Sequence, residues 1–330
     1  PPPVIIDEAQ YAPILFPQLI LFVDERRFQE MPLTKPVIRL TGSHQILMDG
    51  RIKESLAGRA TFFRLHGLSW AELTRAGHFP SVEEFLFRGG WPELWTSNQL
   101  NVIDYLNDYI RTVIDKDVVM SGGIRNIDVF HQALAVLAAR VGQLINFDSI
   151  GSEVGVTGVT LKSWVTILER SGLAGFLRPY HSNLNKRLIK APKFYFTDTG
   201  LAVRLQGHLD TQLMFRSVQM GHLFENLVLT EILKCRDHHR RNWNIYFWRT
   251  KDGKEYDFLI ETKTTCLVID AQVSIQSAQS INISAELRRD LGDKKIISAV
   301  CTYGGKPMML TKDCHQVPMA NLAEFLLRHL

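Results

Sequence analysis

Two carboxylates stand at the end of a short apolar run near the start of the chain. Val4, Ile5 and Ile6 are β-branched, and Asp7 and Glu8 follow them directly. Three consecutive residues of this kind predict a buried β-strand, and the carboxyl end of a strand is where an open α/β sheet binds its ligands. The pattern predicts two acids placed for chemistry at a sheet edge. An ordinary strand that ends in a solvated acidic turn remains the alternative.

The acidic strand resembles a Walker B strand, in which the first acid helps to hold Mg²⁺ and the second polarises the water that attacks the γ-phosphate. A second strand is predicted at 37–43. Its last residue, Ser43, is placed to sense the γ-phosphate, although a strand followed by a Thr-Gly turn explains the same residues. No Gly-x-x-x-x-Gly-Lys-Ser/Thr phosphate loop occurs in the 330 residues. We therefore expect a fragment of a nucleotide-binding domain that does not hydrolyse ATP by itself.

Five short motifs follow one another within residues 1–95: VIIDEAQ, LTGS, SLAGR, LHGLSWAEL and GGWPEL. Their order and spacing resemble a family of bacterial and archaeal AAA-superfamily ATPases that carry a C-terminal domain of unknown function. The resemblance implies that Asp7 and Glu8 are the Walker B acids and that Ser43 is the sensor. It also implies that intact relatives use ATP and Mg²⁺, which this chain alone is expected not to bind.

The same resemblance makes Arg59, in the SLAGR motif, a candidate contact to phosphate. A guanidinium fork suits the charge that spreads over a transferring phosphoryl group. A solvated or carboxylate-paired arginine is the alternative interpretation of Arg59, because many surface arginines serve no other purpose. The sequence leaves the choice open.

At 330 residues the chain has room for two or three domains, and its strand and helix patterns predict the α/β class. We predict a partial AAA-type ATPase domain that lacks the P-loop at 1–95, a helical linker at 96–125, a winged helix at 126–205 and a restriction-endonuclease-like α/β domain at 215–330. The four cysteines lack metal-binding spacing and no run is apolar enough to cross a bilayer, so a reduced cytoplasmic protein without membrane contact is expected. The net charge of +4 permits nucleic-acid binding without requiring it. Oligomeric state stays open.

Residues 126–180 predict three helices, the third N-capped by Thr157 and ended by Gly172. Two helices joined by a tight turn are typical of a helix-turn-helix, and a basic loop follows between two predicted wing strands. The candidate DNA contacts on the third helix and the loop are Lys162, Lys186, Arg187, Lys190 and Lys193. Because winged helices also bind proteins and basic loops are often merely solvated, DNA and a protein partner both remain candidates.

The last domain is predicted to contain an amphipathic helix at 221–234 and strands at 244–249, 255–261 and 266–273. This order is similar to the restriction-endonuclease core, whose signature is a helix Glu, a strand Asp and then Glu-x-Lys, with the acids binding Mg²⁺. Glu225 and Asp257 match the first two positions, Asp270 takes the third, and Gln272 replaces the Lys. A neutral amide cannot replace the cation, so we expect either a degenerate metal-dependent nuclease or a fold kept as a scaffold.

Overall fold

The protein has a mixed α/β structure, as predicted. A computed structural model describes residues 4–29, 38–42, 56, 58–119, 124–181, 191–250, 252–273 and 278–330. The chain divides into two compact units, Pro1–Arg64 with Leu168–Gly172 and Leu65–Ile167 with Leu173–Leu330. None of the helices in the described ranges is long and apolar enough to cross a membrane. Four of the predicted site residues lie outside the described residues: Ser43, Lys186, Arg187 and Lys190.

The first unit contains the predicted acid-bearing strand, but the prediction that this strand is buried is wrong, because Val4 and Ile5 are 56% and 62% exposed. Its elements in chain order are β1 (Val4–Ile6), a 3-10 turn (Ala9–Tyr11), α1 (Leu15–Gln29) and β2 (Ile38–Leu40). β1 pairs with β2 in parallel, with Val4 opposite Ile38. Ala9, Phe16 and Leu56 form a small buried cluster beneath them. Because the strands are parallel, their carboxyl ends meet at one edge of the sheet.

The second unit begins with a run of helices, the last of which falls in the first unit from residue 168 onward. They are α2 (Trp70–Arg75), α3 (Val82–Arg88), α4 (Pro92–Thr96), α5 (Val102–Tyr109), which continues as a π-helical segment (Ile110–Val119), α6 (Ile127–Ala139), α7 (Phe147–Glu153) and α8 (Gly158–Arg170). Residues 65–95, which were predicted as part of the ATPase domain, lie in the second unit. Side chains from the later part of the chain bind their backbone, as described below.

A two-stranded antiparallel hairpin follows α8. It consists of β3 (Ala174–Leu177) and β4 (Lys193–Phe196). The helix before it begins as predicted after Thr157, whose Oγ1 accepts a hydrogen bond from the Thr160 N–H at 3.1 Å. Gly172 after the helix has a left-handed φ of 75°, which glycine adopts without a Cβ clash. Three helices and a hairpin thus follow one another in the predicted order.

A six-stranded sheet forms the C-terminal part of the second unit. The remaining elements are α9 (Thr199–Leu205), α10 (Thr211–Phe215), α11 (Met220–His238), β5 (Asn244–Arg249), β6 (Glu255–Glu261), β7 (Thr265–Gln272), α12 (Ala285–Leu291), β8 (Lys295–Thr302), β9 (Met308–Thr311), β10 (Cys314–Pro318), a 3-10 turn (Met319–Asn321) and α13 (Leu322–His329). The strand order is β5-β6-β7-β8-β10-β9, with β7, β8 and β10 parallel. The predicted strands at 244–249 and 255–261 have these bounds.

Helix α11 is more deeply buried than an amphipathic surface helix. Its polar residues Glu225, Asn226, Glu231 and Lys234 are all buried together with its apolar ones. The helix packs against β7 of the sheet and against α3, α9 and α13, so little of its surface faces water. A polar side chain buried in this way needs hydrogen-bond partners, and α11 therefore determines where several other segments attach.

Candidate functional sites

The acids of β1 lie at the carboxyl edge of the parallel strand pair. Asp7 is exposed, and its Oδ1 accepts a hydrogen bond from Oγ1 of Thr41, the residue that follows β2. The backbone continues the same pairing. The Thr41 N–H donates to the Ile6 carbonyl at 2.9 Å, and the Ala9 N–H donates to the Thr41 carbonyl at 3.0 Å. A carboxylate and a hydroxyl from neighbouring strands are therefore in contact at this edge.

The turn after β1 has an unusual backbone conformation. Glu8 has a φ of 50°, in the left-handed region that non-glycine residues rarely adopt. A conformation of this kind costs free energy and persists where the surrounding structure enforces it. Here the hydrogen bonds of Thr41 to the residues on either side of the acids hold the turn. The position of Asp7 and Glu8 thus depends on β2.

Thr41, which sequence analysis did not select, is the hydroxyl beside Asp7. Ser43 was predicted for that role and lies outside the described residues. A register argument could have found Thr41. With Val4 opposite Ile38 and Ile6 opposite Leu40, the same offset places residue 41 opposite residue 7.

Arg59 is paired with a carboxylate. Its Nε and Nη2 donate to Oδ1 and Oδ2 of Asp24, each at 2.8 Å. The hydrogen bond from Arg59 lowers the pKa of Asp24 and correspondingly raises the pKa of Arg59. The structure therefore shows the carboxylate-paired alternative. Contact of Arg59 with phosphate stays a prediction that requires this pair to open.

The GGWPEL motif packs against one aspartate, Asp198, from a later part of the same unit. Asp198 accepts hydrogen bonds from the Gly90 N–H at 2.8 Å, the Trp91 Nε1–H at 2.9 Å and the Leu201 N–H at 3.0 Å. A Cβ at Gly89 would lie 2.2 Å from Asp198 Oδ1, so only glycine permits this approach. The glycines of the motif thus serve a packing contact.

The LHGLSWAEL motif is held by a buried ion pair of α11. Glu231 Oε2 accepts from the Trp70 N–H at 2.9 Å, at the first turn of α2. Lys234 Nζ donates to Glu231 Oε1 and to the Leu68 carbonyl, both at 2.9 Å. Both charged side chains are only 4% exposed. These contacts explain why residues 65–95 belong to the second unit.

Four acids converge in the second unit around one lysine. We call Glu225 of α11, Glu255 and Asp257 of β6, and Asp270 of β7 the acid cluster. Lys193 Nζ lies 2.8 Å from Glu225 Oε1, 2.5 Å from Glu255 Oε1 and 3.8 Å from Asp257 Oδ1. The lysine side chain is 4% exposed. The predicted nuclease acids are therefore brought together, with an ammonium among them.

The charges of Lys193 and Glu225 stabilise each other. Burial acts against ionisation of Glu225, yet the neighbouring His222 ring, whose Nδ1 lies 3.7 Å from Glu225 Oε2, and the charge and hydrogen bond of Lys193 outweigh it and hold the pKa of Glu225 below its usual value. Burial likewise acts against the charge of Lys193, but Glu225 and Asp257 outweigh it and raise the pKa of the lysine. Both groups are therefore charged at neutral pH.

The carboxylates of Asp257 and Asp270 each accept a hydrogen bond from the backbone of the neighbouring strand. The Asp257 N–H donates to Asp270 Oδ1 at 3.2 Å, and the Ala271 N–H donates to Asp257 Oδ2 at 2.9 Å. Burial, with the charges of Glu225 and Asp270, raises the pKa of Asp257 well above its usual value. Burial also raises the pKa of Asp270 to about 6. One oxygen of each carboxylate is already engaged by a backbone N–H group.

The acid cluster does not fit a divalent metal ion as it stands. The part of the chain that the structure describes contains no group of three or more His, Cys, Asp or Glu that could hold a metal ion. The ammonium of Lys193 takes up acceptor capacity that metal binding needs. Metal binding by Glu225, Asp257 and Asp270 thus stays a prediction without support from this geometry, and Asp7 belongs to the first unit.

The structure gives no support to the prediction that Lys193 contacts DNA, because this residue is buried among carboxylates. It begins β4, where alternate side chains share a face, and Tyr195 accordingly also reaches Glu225, its hydroxyl donating to Oε1 at 2.5 Å. Polar and aromatic residues alternate along Lys-Phe-Tyr-Phe, which places Lys193 and Tyr195 on the same face of the strand. This alternation could have indicated from the sequence that Lys193 lies beside Tyr195. Lys162 of α8, by contrast, is exposed.

Three protein-family models match separate parts of the sequence. Residues 1–74 match an AAA domain. The chain is similar to AAA-type ATPases at its N-terminus. Residues 80–212 match a domain of unknown function, DUF8612, and residues 220–322 match another, DUF4143. These matches confirm the coarser part of the predicted resemblance, an AAA-like, ATPase-associated family with domains of unknown function.

Three similar proteins are themselves named as uncharacterized. One from Mycobacterium bovis is 27% identical over 305 residues, which cover 92% of this chain and 65% of the relative. One from Haemophilus influenzae is 22% identical over 72% of this chain and 59% of the relative. One from Methanocaldococcus jannaschii is 23% identical over 62% of this chain and 42% of the relative. The chain thus spans less than two thirds of their length.

Among solved structures, the crystal structure of protein VC1899 from Vibrio cholerae aligns with 98% of this chain and 88% of its own chain. The sequence identity is 12% and the TM-score is 0.23. A score of this size does not establish a shared fold.

Proposed function

We propose that the AAA-like N-terminal part contributes the hydrolytic edge of a MgATP site. The observation that carries this proposal is the hydrogen bond between Thr41 and Asp7 at the carboxyl edge of two parallel strands. Ligands of open α/β sheets bind at this edge. The match of residues 1–74 to an AAA domain supports the same assignment.

The residues at the edge fit a magnesium ion chemically. Carboxylate oxygens with neighbouring water are the ligands that Mg²⁺ prefers, and Asp7 is exposed to solvent. In this proposal Asp7 holds the ion, Thr41 orients the carboxylate, and Glu8 polarises the attacking water. Bound Mg²⁺ supplies charge neutralisation for the transferring phosphoryl group. Arg59 would reach phosphate only after leaving Asp24.

The same proposal couples ATP turnover to the second unit. We assign residues 126–205 to a winged helix, because α6, α7 and α8 precede an antiparallel hairpin. We assign 215–330 to a restriction-endonuclease-like fold, because a buried helix precedes the antiparallel strands β5, β6 and β7. The AAA-like part would move this module when nucleotide is hydrolysed.

Substitution of the two acids tests the ATPase proposal in the protein purified from its native gene. Glu8→Gln is expected to keep MgATP binding but to lower hydrolysis by about 100-fold or more, because it removes the group that polarises water. Asp7→Asn is expected to weaken the Mg²⁺-dependent binding itself. Glu25→Gln changes an exposed acid of α1 in the same way and should leave both quantities unchanged. Hydrolysis by Glu8→Gln at the wild-type rate would contradict the proposal.

DNA binding by the second unit is the second candidate function. It is favoured by the exposure of Thr157 and Lys162 at the start of α8, the position from which a helix-turn-helix contacts DNA. A protein partner for the same surface is the alternative.

Salt dependence distinguishes these partners. If α8 binds duplex DNA, affinity should fall steeply with added salt, and Lys162→Glu should lower both the affinity and the salt slope because a phosphate contact is lost. Lys295→Glu removes an exposed lysine of β8 and provides the matched control. DNA affinity that is equal in the two variants would exclude α8 as the DNA-binding element.

A further inference from the structure

Lys193 is the cation of the acid cluster, and it is surrounded on several sides. Glu225 approaches from α11, and Glu255 and Asp257 approach from β6. The ring of Phe247 lies 5.6 Å from Nζ, within the range of a cation–π contact. An ammonium so deeply buried would be costly without partners, and two close carboxylates provide them.

The ammonium takes the place that a metal ion would occupy between these oxygens. A divalent cation needs several oxygens turned toward one point at about 2.0–2.6 Å. Glu225 and Glu255 instead turn one oxygen each toward Lys193 Nζ, at 2.8 and 2.5 Å. The other oxygen of Glu255 lies 3.4 Å from Nη1 of Arg249. The acids are thus arranged around singly charged side chains.

The backbone of Lys193 is held in place on both sides of β4. Lys193 pairs with Leu177 of β3 on one side, and the neighbouring Phe194 N–H donates to the Gln143 carbonyl at 3.1 Å on the other. Asn226 of α11, fully buried, donates to the Phe196 carbonyl and accepts from the Phe196 N–H, each at 2.9 Å. These bonds fix the backbone from which the ammonium projects.

The position of Lys193 also explains how the acid cluster has a cation although Gln272 is neutral. The sequence pattern indicated a missing cation, because Gln272 stands where the nuclease motif has a lysine. The structure supplies a cation from β4, a different part of the chain, and this cation contacts the acids themselves.

We propose that Lys193 is a built-in cation that replaces the divalent metal ion of the acid cluster, attaches the β3–β4 hairpin to the sheet, and keeps the cluster free of metal. This role is independent of the proposed ATP chemistry. Through Lys193, the acid cluster connects the β3–β4 hairpin to the C-terminal sheet. Adding a lysine through Gln272→Lys should then restore no metal binding, since the cluster already holds its cation.

Removal of the ammonium tests the proposal with Mn²⁺ as the probe. Lys193→Met should have a lower thermal midpoint than wild type in EDTA, because the buried carboxylate of Glu225 loses its cation. Millimolar Mn²⁺ should raise the midpoint of this variant but not that of wild type, since a ligand that binds only the folded state stabilises it. Calorimetry should show Mn²⁺ binding at least about tenfold tighter in the variant than in wild type.

Three control variants separate this role from a general loss of stability. Lys193→Arg keeps a cation and should gain no Mn²⁺ response. Lys193→Met combined with Glu225→Gln lacks a central ligand and should lose the response of the single variant. Lys295→Met removes an exposed lysine and should behave as wild type.

Two results would overturn the proposal. One is Mn²⁺ binding by wild type as tight as binding by Lys193→Met. The other is a folded Lys193→Met protein whose thermal midpoint does not respond to Mn²⁺. If the variant is unfolded in EDTA, refolding from urea with and without Mn²⁺ decides the question, because the proposal predicts recovery only with the metal.

Discussion

Lys234→Met is expected to destabilise the second unit by about 3–5 kcal/mol, because it leaves a buried carboxylate without its cation. Glu231 and Lys234 are each 4% exposed, and Lys234 Nζ also donates to the Leu68 carbonyl. Methionine is unbranched like lysine and one atom shorter, and it removes the charge and the hydrogen-bond donors. All six tryptophans lie between Trp70 and Trp248, within the second unit. Urea denaturation followed by tryptophan fluorescence therefore reports on this unit alone.

An exposed ion pair in α13 provides the matched control for Lys234. Arg328 and Glu324 are 67% and 66% exposed, and their side chains meet at 2.5 Å. Arg328→Met should change stability by no more than about 0.5 kcal/mol, since exposed pairs contribute little. Adding Glu231→Gln to Lys234→Met should recover part of the loss, because the amide oxygen still accepts from Trp70. Equal effects of Lys234→Met and Arg328→Met would show that burial of the pair is energetically unimportant.

Asp198→Ala is expected to cost about 3–5 kcal/mol, since it removes a helix cap and leaves two further donors without an acceptor. The carboxylate caps α9 through Leu201 and accepts from Gly90 and the indole of Trp91. The same urea denaturation should show the loss of stability. The tryptophan fluorescence of the folded protein should also change, because the indole of Trp91 loses its acceptor.

Asp210 is the matched control for Asp198. It caps α10 by accepting from the Leu213 N–H at 2.8 Å and is exposed. Asp210→Ala should therefore cost only about 1 kcal/mol, the usual value for an N-cap. If both alanine variants lost the same stability, the contacts of Asp198 with Gly90 and Trp91 would contribute nothing, and the explanation of the GGWPEL motif would fail.

Several helices and strands were predictable because the residues that determine them are close together in the sequence. The β-branched run before Asp7 predicted β1, the Thr157 cap and Gly172 predicted the limits of α8, and strands around a tight turn predicted β5 and β6. Each of these depends on residues a few positions apart. The sequence therefore indicates these elements without knowledge of the fold.

Long-range contacts were not predictable in the same way. Lys193 follows the basic loop in sequence, which suggested a solvated cation, yet its partners Glu225 and Glu255 lie on α11 and β6. Thr41 meets Asp7 only through the register of two strands. Tertiary packing decided both positions, and it also buried the polar residues of α11 that a periodic pattern placed on a surface helix.

Calorimetric titration of MgATP into the protein made from its native gene tests the central proposal most directly. Its intact mass and N-terminal sequence should be determined first, so that the species titrated is known. The MgATP site at Asp7 predicts binding that requires Mg²⁺, weakens at least about tenfold in Asp7→Asn and is unchanged in Glu25→Gln. Absence of MgATP binding, or equal binding by Asp7→Asn and wild type, would contradict it.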